Sequence, residues 1–126
     1  MTDEASRLLV VDDDGLNRDL MVRRLSKRGY LATDADGGKN ALEWIRSNNV
    51  DLVLLDVEMP GISGFEICRL IRRLPGYEKV PVVYLTSHDD FDSRQSGIAS
   101  GGDDLISKPI LPLELAVKVV THLLRR

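Results

Sequence analysis

Asp51-Leu52-Val53-Leu54-Leu55-Asp56-Val57-Glu58-Met59-Pro60-Gly61-Ile62-Ser63-Gly64 is the stretch from which the rest of the chain can be read. Leu52, Val53, Leu54 and Leu55 follow one another without the polar alternation of a half-exposed strand. They read as a strand covered on both faces, the pattern of a parallel sheet with helices on either side. The run ends on Asp56, and Pro60-Gly61 with Gly64 mark a long loop before the next helix. Parallel strands need crossover connections, so helical segments must lie before and after this one.

Outward in both directions the sequence keeps that rhythm. Apolar runs at 8–11, 31–35, 52–55, 80–85 and 105–106 alternate with amphipathic stretches at 16–28, 39–47, 65–74, 92–100 and 112–124. This strict alternation predicts an α/β fold of the flavodoxin-like type, a doubly wound (βα)5 sandwich with a parallel sheet in the order 2-1-3-4-5. Gly29 stands where the first helix should end, and Gly101-Gly102 precede the last strand. The 126 residues make one expected domain, 1–126, with 1–6 as a frayed tail and any output domain outside it. A net charge of −3 gives no general attraction to nucleic acid or to an anionic membrane. Cys68 is the single cysteine, which excludes an internal disulfide, and no long apolar run suggests export or membrane insertion. A cytoplasmic location is expected.

In a parallel sheet the carboxyl ends of neighbouring strands lie side by side, so distant residues meet in one crevice. Here those ends carry Asp12-Asp13-Asp14, Asp56, Thr86-Ser87 and Lys108. Several carboxylates converging at the end of a buried strand repel one another unless a cation lies among them. A hard divalent ion suits them, and Mg²⁺ best, because it is held by one or two carboxylates plus water and phosphate oxygens. A solvated helix-capping loop is the other reading of such an acidic run, and the preferred one for Asp14. Asp56, kept ionised by a metal, is placed to attack phosphorus and form an acyl phosphate. Lys108 offers a charge and Thr86 a hydroxyl to phosphoryl oxygens. Judged singly, Lys108 reads as a surface lysine and Thr86 as a strand-end hydroxyl; their joint appearance at strand ends carries the functional reading.

The runs Val10-Val11-Asp12-Asp13, Asp51 through Gly64, Leu85-Thr86-Ser87 and Lys108-Pro109 together resemble the receiver domain of two-component response regulators, over essentially the whole chain. That resemblance implies that Asp56 accepts a phosphoryl group from the histidine of a sensor kinase or phosphotransfer protein. It implies Mg²⁺ held directly by Asp13, Asp56 and the backbone carbonyl of Glu58, with Asp12 acting through metal-bound water. It further implies that Thr86 and Lys108 contact the phosphoryl oxygens, joined by backbone amides near Val57 and Ser87, and that the bond before Pro109 is cis. One departure stands out: the family often carries Tyr or Phe three residues before the lysine, and here Leu105 holds that place. Switching is then expected to rest on Thr86 drawing the following loop and helix toward the phosphate. The stretch 92–100, with few apolar anchors and Gly97 at its centre, should be among the least stable elements.

The last helix hints at partners. Leu113, Ala116, Val117, Val120 and Leu124 form the expected core stripe, while Leu115, Val119 and Leu123 add a second row. That second row is read either as a docking face, for a homodimer or an output partner, or as packing under a neighbouring element. His88 and Glu58 are expected to tune the life of the phosphoryl group from the pocket rim, while Trp44 and Cys68 pack. Three rival readings fit less well. A Mg²⁺-dependent phosphohydrolase working through an aspartyl phosphate would match Asp12 and Asp14, but not Leu16. A nucleotide module would present a glycine-rich phosphate loop in place of carboxylates. An inactive receiver-like interaction module would not need the full set of pocket residues.

Overall fold

The computed structural model describes residues 5–125. Along the chain run β1 (Arg7–Val11), α1 (Gly15–Lys27), β2 (Leu31–Ala35), α2 (Gly38–Ser47), β3 (Leu52–Asp56), α3 (Gly64–Arg72), β4 (Val82–Thr86), α4 (Phe91–Ala99), β5 (Asp104–Ser107) and α5 (Pro112–Arg125). The strands form one parallel sheet in the order β2-β1-β3-β4-β5, as the alternation predicts. Of the tail expected at 1–6, residues 1–4 lie outside the described residues. Ser6 is already pinned, its carbonyl accepting a hydrogen bond from the Leu31 amide at 3.0 Å.

Period-two alternation along the strands divides the core into two layers. Leu9, Val11, Val53, Leu55, Val82 and Tyr84 face Ala41, Leu42, Ile45, Ile67, Cys68 and Ile71 of α2 and α3. Leu8, Val10, Leu52, Leu54, Val83 and Leu85 face Met21 and Leu25 of α1 and Leu115 and Val119 of α5. Because β1, β3 and β4 bury both faces, a register slip would gain nothing and expose much. Cys68 is fully buried and Trp44 packs against the same layer, both as packing residues. β4 begins at Val82 and not at 80, because Pro81 has no N–H to give to the ladder; its carbonyl alone contributes, to Val53 N at 2.9 Å.

α4 is the thinnly held element: Gly97 is its single buried residue, and Phe91 and Ile98 are exposed. Its tether is Tyr84, the register partner of Leu105, whose hydroxyl donates to the Gly97 carbonyl at 3.0 Å. The Tyr84 ring meets Phe65 edge-on at 5.0 Å. A Cβ at Gly97 or Gly102 would run into that ring, so both glycines leave room for it. The aromatic missing at Leu105 thus has a counterpart on the adjacent strand, beneath the same helix.

The expected orientation of α5 is overturned. Leu115 and Val119 of the second row are buried, which answers to its packing reading, while of the expected core stripe Ala116 is buried but Leu113, Val117, Val120 and Leu124 are exposed. Apolar residues surround this helix almost completely, so periodicity could not choose its face. Polar anchors choose it: Lys118 Nζ donates to Asp104 Oδ1 at 3.2 Å and to the Leu105 carbonyl at 2.7 Å, and His122 Nε2 lies 2.8 Å from Asp104 Oδ2. Positions 115, 118, 119 and 122 fall on one side of a helix, and that side meets the sheet. Val119→Ala is therefore expected to cost on the order of 2 kcal/mol, against at most about 0.5 kcal/mol for Val120→Ala, in urea unfolding of the two variants.

Candidate functional site

Register places the site. Val11 pairs with Leu55, and Asp56 pairs with Leu85, so Asp12, Asp56 and Thr86 emerge at one level where the sheet ends. Lys108 follows β5 directly and reaches back across the crevice. Asp12 and Asp56 are both completely buried, whereas Asp13 is exposed. One carboxylate oxygen from each of Asp12, Asp13 and Asp56 falls within 4.8 Å of the others. Asp14 caps α1, its side chain accepting from the Leu16 and Asn17 amides, and so takes the capping role the sequence suggests.

Hydrogen bonds account for only half of each buried carboxylate. Asp12 Oδ1 accepts from Asp14 N at 2.9 Å, and Asp56 Oδ1 accepts from Glu58 N at 3.2 Å and from Lys108 Nζ at 3.1 Å. Asp12 Oδ2 and Asp56 Oδ2 are buried without a partner. Two unpartnered oxygens of like sign beside a third carboxylate make a donor set that fits a hard divalent cation.

The electrostatics agree with that fit. Burial raises the Asp56 carboxyl most strongly and the Asp12 charge adds to it; the Lys108 hydrogen bond and charge oppose them, leaving it at about 7. Burial pulls the Lys108 ammonium down, but its bond to Asp56 and the surrounding carboxylates outweigh this and raise it. A bound cation reverses the balance at Asp56 and favours the ionised nucleophile.

The loop after β3 is drawn in by Gly64. Its amide donates to the Val57 carbonyl at 3.1 Å, and a Cβ there would overlap the Asp56 carbonyl oxygen. Ser63 then caps α3 through its side chain. Glu58, on this loop, does more than rim tuning. A single oxygen, Oε1, accepts from Thr86 Oγ1 at 2.7 Å and from Ser87 N at 2.7 Å, and lies 3.0 Å from His88 Nδ1. Burial alone would raise the Glu58 carboxyl, but the bonds from Thr86, His88 and Ser87 outweigh it and hold it at about 2.

The residues named from sequence thus converge, with two differences. Of the amides expected near Val57, that of Val57 itself continues the ladder by donating to the Leu85 carbonyl at 3.0 Å, and the next one, Glu58 N–H, reaches Asp56. The Thr86 hydroxyl is engaged by Glu58 and not by Asp56. An acidic residue two positions after Asp56 and a hydroxyl at the end of the adjoining strand were the available signals for this pair.

Comparison with known proteins returns one family. Residues 8–120 match the response regulator receiver domain. The chain is 42% identical over 123 residues to the transcriptional regulatory protein YvrH of Bacillus subtilis, covering 97% of this chain and 51% of that protein. It is 40% identical over 120 residues to the response regulator MprA of Mycolicibacterium vanbaalenii, covering 95% and 51% respectively. The chain therefore spans about half the length of the curated relatives it matches. Among solved structures, the chemotaxis protein CheY4 of Vibrio cholerae aligns with a TM-score of 0.89 at 28% identity, over 95% of this chain and 99% of that one. The response regulator TrrA of Thermotoga maritima, in complex with Mg²⁺-BeF, aligns with a TM-score of 0.82 at 37% identity, over 93% and 98%.

A pH dependence follows from the raised Asp56 carboxyl. The fold prefers the neutral form, so stability is intact below the ordinary value of 3.8 and is lost as pH rises through about 7. In chelator, Asp56→Asn is expected to exceed the native chain in stability by a few kcal/mol above that pH and to match it in acid. Thermal unfolding of both proteins across pH checks this.

Proposed function

Because the chain belongs to the receiver domains of two-component response regulators, we propose that Asp56 is its phosphoacceptor, taking the phosphoryl group from a histidine of a sensor kinase or phosphotransfer protein. The observation that carries this is the Asp56 carboxylate itself: buried at the end of β3, with Oδ1 held by Lys108 and Oδ2 left without a hydrogen-bond partner beside Asp12 and Asp13.

In the transfer, an Asp56 oxygen attacks phosphorus and the P–N bond to the donor imidazole breaks. The electron pair leaves on the imidazole nitrogen, and Asp56 becomes an acyl phosphate. Slow hydrolysis reverses the state: water attacks phosphorus, the P–O bond to Asp56 breaks, the carboxylate leaves, and inorganic phosphate is released. Lys108 balances charge on the phosphoryl oxygens, and Thr86 and the Ser87 amide donate to them. Asp13, Asp56 and the Glu58 backbone carbonyl, with Asp12 beside them, would hold Mg²⁺, which would supply neutralisation of the carboxylate and phosphoryl charge. This is a signalling domain whose chemistry is directed at itself.

The output lies at the α4-β5-α5 face. Thr86 is the last residue of β4, so its movement toward a phosphoryl oxygen pulls on the loop that leads into weakly anchored α4. Beside it, Ile98 of α4 and Leu113, Val117, Val120 and Leu124 of α5 are exposed, an apolar surface suited to a second copy of the domain or to an output domain. Relatives about twice as long that are called transcriptional regulatory proteins favour an output domain elsewhere in the protein. No helix among the described residues is long and apolar enough to cross a membrane; the cytoplasmic location belongs to the receiver reading.

With Mg²⁺ and acetyl phosphate, intact-mass measurement is expected to show one phosphoryl adduct on the native chain and none on Asp56→Asn, with the adduct lost in chelator. No adduct on the native chain would favour an interaction module without phosphorylation, and continuous donor consumption without an adduct a phosphohydrolase. Leu113→Glu with Val117→Glu is expected to leave the adduct intact while abolishing phosphate-dependent self-association in sedimentation velocity; unchanged association would move the interface elsewhere.

A further inference from the structure

The donors that the phosphoryl group needs are already occupied. Thr86 Oγ1–H and Ser87 N–H both point at Glu58 Oε1, each at 2.7 Å, and His88 Nδ1 lies 3.0 Å from the same oxygen. Three contacts from one loop converge on one oxygen of a carboxylate, which is how an anion subsite binds an anion. A hydroxyl has one hydrogen, so Thr86 cannot donate to Glu58 and to a phosphoryl oxygen together; its oxygen already accepts from His88 N at 3.0 Å. The Ser87 amide has one hydrogen as well.

We propose that the Glu58 side chain is a resident occupant of the phosphoryl-oxygen subsite, and that phosphorylation proceeds by exchange of one anion for another on Thr86 and Ser87. This rests on Asp56 being the phosphoacceptor. In the unphosphorylated protein the carboxylate holds the β4–α4 loop in place through the donors that later serve the phosphoryl group. Displacement is feasible without unpacking the core, because the Glu58 side chain is 34% exposed and that of His88 67% exposed. The released carboxylate swings into water, where ionised groups are well solvated. Glu58 thus acts as a positioning residue that sets how readily the site accepts a phosphoryl group. The apparent affinity for any phosphoryl mimic is the intrinsic affinity reduced by the fraction of molecules whose donors are free.

The test is titration of the 126-residue chain with BeF₃⁻ in Mg²⁺, followed by amide NMR. Glu58→Ala is expected to bind BeF₃⁻ about tenfold tighter than the native chain, the size expected when a charge-assisted hydrogen bond no longer competes. Its free form should exchange the Ser87 amide hydrogen faster. General repulsion between Glu58 and the anion would also weaken binding, and a double-mutant cycle separates the two. In a Thr86→Ala background the gain from Glu58→Ala should shrink severalfold, because Thr86 is no longer contested. Glu58→Gln, which keeps the shape and a carbonyl acceptor, should fall between native and Ala. An equal gain in both backgrounds, or no gain at all, overturns the inference while leaving Asp56 as phosphoacceptor. Failure of the native chain to bind BeF₃⁻ would instead strike the phosphoacceptor reading itself.

Discussion

Two carboxylates buried side by side at the end of a parallel sheet are the constraint on which the rest depends. Asp12 and Asp56 are withdrawn from water, each with one oxygen unpartnered, and Asp13 adds a third negative group at the rim. Taking charge out of water is expensive, and doing so beside like charge more so. Lys108 offsets part of the cost at 3.1 Å from Asp56, and burial still leaves that carboxyl at about 7. The site is thus underbalanced: it is short of positive charge, which a divalent cation held there would supply together with partners for the two free oxygens.

The fold exists around that deficit. β1 and β3 are adjacent and apolar on both faces, so their first polar residues appear together where the ladder stops. Gly64 lets the loop after Asp56 fold back on the strand end, which brings Glu58 against Thr86. From Thr86 the connection to α4 is short, and α4 is the least anchored helix, held through Tyr84 and two glycines that admit its ring. A local change in charge at Asp56 can therefore be read as a change in a loop and a loosely packed helix without disturbing either core layer.

Much of this was legible in the sequence because it rests on one-dimensional signals. Continuous apolar runs, their polar terminators and the glycines between them specify strand order and the residues of the crevice. The cis bond expected at Lys108-Pro109 is present, and Asp14 caps α1. What failed was the face of α5: with apolar residues almost all round, only the polar bonds of Lys118 and His122 to Asp104 decide it, and those span distant segments. The engagement of Thr86 by Glu58 was hidden for the same reason, since the two are far apart in sequence and meet only through a loop closure.

The claim that the acidic pocket is completed by a divalent cation is tested most directly by titrating the chain with Mg²⁺ while recording proton release at constant pH. Because the Asp56 carboxyl sits at about 7 and must ionise to act as a ligand, binding should expel protons, increasingly so as pH falls below that value. In Asp56→Asn the release should vanish. Saturable binding without proton release at about pH 6, or no binding at millimolar Mg²⁺, would contradict the account.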